Sequence, residues 1–290
     1  MKSFKILVFG NSYSVDALTY LQRILASAGY DDVTIGHICD GGCNINQHWS
    51  NVDDTMESFH PAHPDVVAMD GTAGCSIIRN GVSSSTEGST LKERYINTIC
   101  AEDWDFVSIQ HGPNHVEKVD SYSYLPRLLE FIKQHLKCDD TKFVYHMVWK
   151  YNDNIAQSNS TAYHYSTITD IARNTVLINP EFDRVIPAAT FRQNLVSSYL
   201  TDRDISRDYG HMGLTLGRYA LGLLWYCALT GGEVDEVKYI PTKDDVSDEM
   251  KSKFPEHTHL DITPEDMAVI KEAIANALKT PFEITESEYK

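Results

Sequence analysis

The chain has 290 residues, of which 42% are hydrophobic and 23% charged, a composition typical of globular proteins rather than disordered or fibrous ones. Asp and Glu number 41 against 25 Lys and Arg, so the net charge is −16. A surface this acidic repels nucleic-acid phosphates and anionic lipids, so we expect neither a nucleic-acid nor a membrane partner. The composition says nothing about the oligomeric state.

Cysteine usage and the start of the chain predict a reducing compartment. The six cysteines are widely spaced and form no CxxC pair, which favours reduced thiols over a disulfide framework. The first strand follows Met1 within a few residues and leaves no room for a secretion signal, so we expect a cytoplasmic protein unless a signal has been trimmed. The most apolar stretch, 214–229, is shorter than a membrane span and contains Arg218, which predicts a core helix.

Strand and helix patterns alternate along almost the whole chain, which is typical of a parallel sheet covered by helices. The predicted strands are 5–9, 33–38, 105–110, 142–149 and 184–187. The predicted helices are 17–28, 45–59, 91–100, 122–136, 155–178, 213–230 and 264–278. In the irregular region 65–89, the segments 66–69 and 76–79 are candidates for a small hairpin. We expect one α/β domain at 1–235, with a charged extension at 236–290 packed on it.

The first candidate for chemistry is Ser12, at the end of the opening apolar strand. The strand stops at Gly10-Asn11-Ser12 and a helical pattern follows, which places Ser12 at the carboxyl end of a central strand. Open α/β sheets bind their ligands at that edge. The serine is therefore either a nucleophile or a helix cap, and Ser14, inside the incipient helix, is a rival nucleophile.

The second candidate is the pair Asp208 and His211, which precedes the apolar helix at 213–230. An Asp three residues before a His in a turn puts both side chains on one side of that turn. The carboxylate can then fix the tautomer of the imidazole and stabilise the imidazolium. Together with Ser12, the pair supplies a nucleophile, a base and a residue that orients the base.

Candidate oxyanion donors follow the other predicted strands. Gly41 and Gly42, past the second strand, offer backbone N–H groups that no Cβ obstructs. Gln110 and Asn114, at the end of the next buried strand and just beyond it, offer side-chain amides. An amide N–H aimed at a developing alkoxide lowers the barrier by about 3 kcal/mol.

The order of these motifs resembles the GDSL/SGNH hydrolase superfamily. Four sequence blocks carry the resemblance: Gly10-Asn11-Ser12, Gly42, Gly112-Pro113-Asn114-His115 and Asp208 to His211. A narrower, uncharacterised branch with a Gly-Asn-Ser-Tyr-Ser opening is also similar, through Gly41-Gly42-Cys43, His48-Trp49, Trp104-Asp105, Arg207 to His211 and Leu216 to Tyr219.

The resemblance spans residues 5 to about 232 and carries specific expectations. It implies a three-layer α/β/α sandwich with a mainly parallel, flavodoxin-like sheet. It implies a cofactor-independent serine esterase in which Ser12, Asp208 and His211 are catalytic. The backbone of Ser12 and Gly42 and the amide of Asn114 or Gln110 would form the oxyanion hole. The implied substrate is a small-molecule or carbohydrate ester, such as an O-acetylated sugar.

Two departures from the superfamily pattern concern the loops. Asn11 stands where the superfamily usually has Asp, which puts the geometry of the turn in doubt rather than the nucleophile. His115 stands where an Asp usually follows the third-block Asn. In the narrower branch a Gln near the end of the third strand is the more regular feature. Block spacing favours Asn114 as the donor, and Gln110 is the alternative.

Other polar and aromatic residues support weaker hypotheses. The aromatic-rich segment 145–151 forms either a sugar-stacking platform or part of the core, and Trp149, His146 and His111 are candidate substrate-binding residues. Several loop histidines suit zinc chemically but match no known ligand spacing, so we expect no metal: His60, His63, His111, His115 and His146. The alternatives to an esterase are a non-catalytic glycan-binding protein and a metal-dependent hydrolase.

Overall fold

The computed structural model describes residues 1–56, 74–150, 160–208, 210–255 and 261–290. The protein is an α/β protein whose mostly parallel, seven-stranded central sheet is flanked by helices, as in a three-layer α/β/α fold. The strands are β1 (Ser3–Gly10), β2 (Asp32–Cys39), β3 (Gly74–Arg79), β4 (Val82–Ser85), β5 (Phe106–Gln110), β6 (Lys142–His146) and β7 (Phe182–Ile186). Their order in the sheet is β4-β3-β2-β1-β5-β6-β7.

The parallel part of the sheet is centred on β1, which pairs with β2 on one side and with β5 on the other. Strand β5 continues in parallel to β6, whereas β3 and β4 add an antiparallel hairpin beyond β2. The four side chains from Ile6 to Phe9 in β1 are fully buried. A central parallel strand is covered on both faces, which is why its sequence is a continuous apolar run and not an alternating one.

The five predicted strands are present, with shifted ends. The predicted strand at 142–149 ends at His146 in β6, and the last strand begins at Phe182 rather than at residue 184. The segment 76–79 belongs to a hairpin, but its partner is β4 at Val82–Ser85. The other proposed partner, 66–69, lies outside the described residues.

The helices are α1 (Ser12–Leu18), α2 (Leu21–Ser27), α3 (Ile45–Ser50), α4 (Leu91–Ile99), α5 (Leu125–His135), α6 (Ser160–Ile171), α7 (Ala188–Val196), α8 (Asp202–Ile205), α9 (Leu216–Thr230), α10 (Asp248–Lys253) and α11 (Pro264–Lys279). Short 3₁₀ segments lie at Val119–Tyr122, Val234–Glu236 and Lys243–Asp245, and a π-helical turn at Ala172–Val176 follows α6.

Several helices differ from their predicted extents. The predicted helix at 17–28 is two helices, and the first begins at Ser12. Helix α3 ends at Ser50 rather than at residue 59. Helices α7, α8 and α10 were not predicted. In α7 even Arg192 and Asn194 are buried, so its sequence has no exposed polar face to produce the helical period.

The chain forms two compact units. Unit 1 consists of 1–15, 30–146 and 171–184, and unit 2 consists of 16–29, 147–170 and 185–290. Unit 1 contains strands β1 to β6, and unit 2 is built around α9, in which every residue from Leu216 to Leu229 is buried. No helix within the described residues is long and apolar enough to cross a membrane. All six cysteines are free thiols.

Candidate active site

The candidate site in unit 1 lies where the chain leaves the carboxyl ends of β1, β2 and β5. These three strands are parallel neighbours, so the loops that follow them leave the same edge of the sheet. The chain moves from β1 to one side first and later returns to the other side. Open α/β sheets bind ligands at such a reversal of strand order.

Asn11 joins the three strand-end loops of unit 1. Its Nδ2 donates to the carbonyl of Cys43 (2.8 Å) and to that of His111 (3.3 Å). Its Oδ1 accepts from the Tyr13 backbone N–H (3.0 Å) and from Gln110 Nε2 (2.6 Å). Asn11 is fully buried, and its amide matches these partners: the NH₂ group donates to two carbonyls while the oxygen accepts from two N–H groups. The side chain of Asn11 therefore fixes the turn.

Gln110 continues this network into β6. Its Oε1 lies 2.8 Å from His146 Nδ1, and both side chains are buried. Burial lowers the pKa of His146 to about 3, so the imidazole is neutral at pH 7 and its Nδ1–H donates to Gln110. The Gln110 amide is thus held at both ends inside the protein.

The two serines of the first turn have different surroundings. Ser12 is the first residue of α1 and is partly exposed, whereas Ser14 is fully buried. Ser14 Oγ donates to the carbonyl of Asn11 (2.6 Å) and lies 2.8 Å from His37 Nε2. Burial lowers the pKa of His37 to about 3, so this ring is neutral and donates to Ser14. The access that a nucleophile requires is therefore found at Ser12 and not at Ser14.

The loops after β2 and β5 touch through their backbones. Gly42 is exposed and has φ of +68°, a conformation that favours glycine. A Cβ on Gly112 would lie 2.8 Å from the Gly42 carbonyl oxygen, so residue 112 also has to be glycine. Asn114 follows two residues later and is exposed. Glycine at these two positions lets the turn that carries Asn114 rest against the Gly42 loop.

His111 supports the start of α3. Its Nδ1 accepts from the Ile45 backbone N–H (3.2 Å), and its Nε2 lies 2.6 Å from Ser121 Oγ. Burial lowers the pKa of His111 to about 3, so Nε2 carries the proton and donates to Ser121. His111 and His146, two candidate substrate-binding residues, are therefore buried side chains that hold unit 1 together.

The candidate acid–base pair lies in unit 2, on a short hairpin that we call the dyad hairpin (206–208 and 210–212). Its ends pair through an antiparallel bridge between Ser206 and Met212. His211 Nδ1 lies 2.8 Å from Asp208 Oδ2 and 3.0 Å from Oδ1. Asp208 Oδ1 also accepts from the backbone N–H groups of Gly210 (3.0 Å) and His211 (2.8 Å). The carboxylate is fixed, and so is the imidazole it faces.

The charge of Asp208 is maintained well below neutral pH. Burial raises the pKa of Asp208, but the hydrogen bond from His211, the His211 charge and the two backbone N–H groups outweigh burial and bring the pKa to about 2. At pH 7 the residue that orients His211 is therefore a carboxylate.

A residue that the sequence did not single out, Asp16, anchors the dyad hairpin within unit 2. Its Oδ1 accepts from Arg207 (2.7 Å) and from Arg218 Nε (2.8 Å), and its Oδ2 accepts from the Met212 backbone N–H (2.8 Å). Burial raises the pKa of Asp16, but the charges of Arg207, Arg218 and His211 hold it below its ordinary value. No local pattern marks this residue, because its partners lie about 190 residues away.

Trp149 also supports the dyad hairpin. Its side chain is buried, and its indole Nε1 donates to the carbonyl of Gly210 (2.8 Å). Tyr145 is buried as well, so these two aromatic residues of the 145–151 segment belong to the core; Tyr151 lies outside the described residues.

The described part of the chain contains no group of three or more His, Cys, Asp or Glu side chains arranged to hold a metal ion. Of the five histidines considered for zinc, His60 and His63 lie outside that part.

The fold and these polar clusters define an α/β protein with a buried amide network at the carboxyl edge of its sheet and an oriented Asp–His pair. The chain belongs to the DUF4886 family, a domain of unknown function whose profile matches residues 5–258. It is similar to a DUF4886 family protein from Bacteroides uniformis ATCC 8492 whose crystal structure is known, with 25% sequence identity, a TM-score of 0.76 and coverage of 100% of both chains. A comparison with curated proteins finds no match.

Proposed function

We propose that this protein is a serine esterase of the GDSL/SGNH type, which hydrolyses a carboxylic ester by acyl transfer through Ser12, His211 and Asp208. The order of its sequence motifs resembles that superfamily. The sheet order β2-β1-β5-β6-β7 supports the proposal, because it is the flavodoxin-like order that the resemblance implies.

The observation that carries the proposal is the geometry of Asp208 and His211. An ionised carboxylate that accepts from Nδ1 holds the imidazole in the tautomer whose Nε2 can accept a proton. The same carboxylate stabilises the imidazolium once that proton has arrived. The partly exposed Ser12, at the carboxyl end of β1, supplies a hydroxyl of the type that such a base activates.

In the proposed reaction, Ser12 Oγ attacks the carbonyl carbon of the ester while His211 Nε2 takes the hydroxyl proton. The bond between the carbonyl carbon and the alcohol oxygen then breaks, and His211 returns its proton to that oxygen. Water attacks the acyl-Ser12 carbonyl and gives a proton to His211, which passes it to Ser12 Oγ as the carboxylic acid leaves. The reaction uses no cofactor.

We assign the oxyanion hole to the backbone N–H groups of Ser12 and Gly42 and to the Asn114 amide. Gly42 and Asn114 are exposed, as donors to a substrate have to be. The Gln110 amide is 1% exposed and bonded to Asn11 and His146, so in this proposal it is the scaffold of the loops. Donors that are fixed before the reaction stabilise the transition state without reorganising.

The proposed substrate is a small O-acyl ester, such as an acetyl group on a carbohydrate. The superfamily resemblance motivates this choice. The net charge of −16 adds a preference for uncharged esters, because an acidic surface repels anionic substrates.

The test compares the wild type with Ser12→Ala and with a matched control, Ser14→Ala, which removes a buried hydroxyl two residues away. A fluorophosphonate probe is expected to label the wild type and Ser14→Ala on Ser12 and to leave Ser12→Ala unlabelled. Hydrolysis of 4-nitrophenyl acetate and of a panel of acetylated sugars is expected to fall by about 10⁴-fold in Ser12→Ala.

A folded wild type that forms no adduct and hydrolyses none of these esters would overturn the proposal and favour a non-catalytic glycan-binding protein. Activity that survives Ser12→Ala but is abolished by a chelator would instead indicate a metal-dependent hydrolase.

A further inference from the structure

Asp16 is a fully buried carboxylate whose two oxygens are both occupied by hydrogen-bond donors from distant parts of unit 2. Two of the donors are the guanidinium groups of Arg207 and Arg218. Burying a carboxylate is costly unless charges and hydrogen bonds compensate it, and here they do. The charge and both oxygens of the buried carboxylate are therefore compensated within unit 2.

The donors to Asp16 lie on either side of the catalytic pair that we propose. Arg207 directly precedes Asp208, and Met212 directly follows His211. The Arg207 guanidinium also donates to the Met212 carbonyl, and the Arg207 backbone N–H donates to the His211 carbonyl (3.0 Å). The Asp16 carboxylate thus holds both strands of the dyad hairpin, directly beside Asp208 on one strand and His211 on the other.

One of the donors to Asp16 is not part of an ion pair. The Met212 backbone N–H carries no charge, yet it takes one oxygen of Asp16 at 2.8 Å. This bond holds the main chain at the residue directly after His211, which carries the imidazole.

We propose that Asp16 is a positioning residue for the esterase reaction, a role that rests on the proposed function: it holds Arg207 and Met212 and thereby sets the geometry in which His211 meets Asp208. Residues that orient a catalytic group in this way typically contribute about 10- to 100-fold to activity. Asp16 itself touches neither the substrate nor the reacting atoms in this proposal.

The test replaces Asp16 by Asn, which keeps the volume but puts an NH₂ group in the place of one oxygen and removes the charge. A matched control, Asp266→Asn, makes the same change at a largely buried carboxylate of unit 2 that caps α11 and accepts from Tyr199 (2.8 Å). The first readout is the NMR signal of the His211 Nδ1 proton, assigned by its loss in His211→Gln. We expect this downfield signal in the wild type and in Asp266→Asn and its loss in Asp16→Asn.

The second readout is steady-state kinetics on the best ester. We expect kcat to fall about 10- to 100-fold in Asp16→Asn with KM unchanged, and neither constant to change in Asp266→Asn. The NMR readout needs no turnover, so it tests the positioning role even if the wild type proves not to be an esterase. A His211 signal and a kcat that both survive in folded Asp16→Asn would overturn the inference.

Asp16→Asn leaves two guanidinium groups without their counter-charge, which by itself destabilises the fold, so a second variant separates folding from positioning. The double variant Asp16→Asn/Arg218→Met removes one positive charge with the negative one and has the net charge of the wild-type cluster. It is expected to fold and still to lack the His211 signal, because the single amide oxygen left at position 16 cannot accept from both Arg207 and the Met212 N–H, which lie on different oxygens of Asp16. A retained signal in this variant contradicts the role of Asp16.

Discussion

The two compact units each contain a buried polar network, and the two networks are built from different groups. In unit 1, Asn11 joins the strand-end loops through neutral amides, carbonyls and an uncharged imidazole. In unit 2, Asp16 holds the dyad hairpin through a carboxylate and two guanidinium groups. The groups of the neutral network carry no net charge and need no counter-charge. The charged groups of the ionic network can compensate the positive charge that a base acquires when it takes up a proton. In the proposed reaction the oxyanion donors come from unit 1 and the base comes from unit 2.

The first prediction compares two amide side chains of unit 1: Gln110, which we propose as a scaffold, and Asn114, which we propose as an oxyanion donor. We expect Asn114→Ala to lower kcat by about 10²- to 10³-fold with little change in Tm, because the removed group is the proposed oxyanion donor and is exposed. Gln110→Ala is expected to lower Tm, because Asn11 and His146 each lose a buried partner. Kinetics and thermal unfolding of the two variants check both outcomes. The reverse pattern would make Gln110 the donor.

The neutral network should not tolerate a charge. Asn11→Asp replaces an N–H donor with an oxygen that faces the carbonyls of Cys43 and His111. The new carboxyl is buried, and the described donors to it, the Tyr13 N–H and Gln110, are neutral. We expect a loss of about 3 kcal/mol in the free energy of unfolding, from two unmet carbonyls and the buried carboxyl. Urea unfolding at pH 7 measures it. A stability equal to that of the wild type would show that unit 1 accepts an ion at this position.

The networks should also differ in their response to acid. Burial lowers the pKa of four histidines of unit 1 to about 3 or 4: His37, His48, His111 and His146. Below a pH of about 6.5 the unfolded chain binds protons that the folded chain excludes, so each histidine reduces stability by about 1.4 kcal/mol per pH unit. The pKa of Asp208, lowered to about 2, also makes stability fall with falling pH, but only in a lower window, between its unfolded value and about 2.

A single substitution tests this origin of acid sensitivity. His37→Gln keeps an N–H donor for Ser14 Oγ but cannot take up a proton. Between pH 6 and pH 4, the free energy of unfolding falls with decreasing pH in both proteins. We expect the slope to be smaller in the variant than in the wild type, by about 1.4 kcal/mol per pH unit. Urea unfolding at a series of pH values measures the slope. An unchanged slope would mean that His37 takes up its proton without unfolding.

Features that depend on neighbouring residues can be predicted without the structure. The apolar run of β1 marks a strand buried on both faces, and the strand–Gly–Asn–Ser pattern places Ser12 at its end. Asp208 and His211 are three residues apart, so a turn suffices to bring them into contact. Chain order and local spacing were therefore enough to predict the α/β class and to select the candidate triad, whose catalytic role stays a prediction.

Contacts between polar groups that are far apart in sequence could not be predicted. Gln110 reaches Asn11 across 99 residues, and Arg207 reaches Asp16 across 191. Sequence patterns carry period and local spacing, whereas such contacts depend on how the chain packs. The same reason applies to Trp149, for which the sequence left a sugar-stacking platform and the core as alternatives, and which is buried with its indole N–H bonded to Gly210. The partners that hold the candidate catalytic residues are therefore visible only in the folded protein.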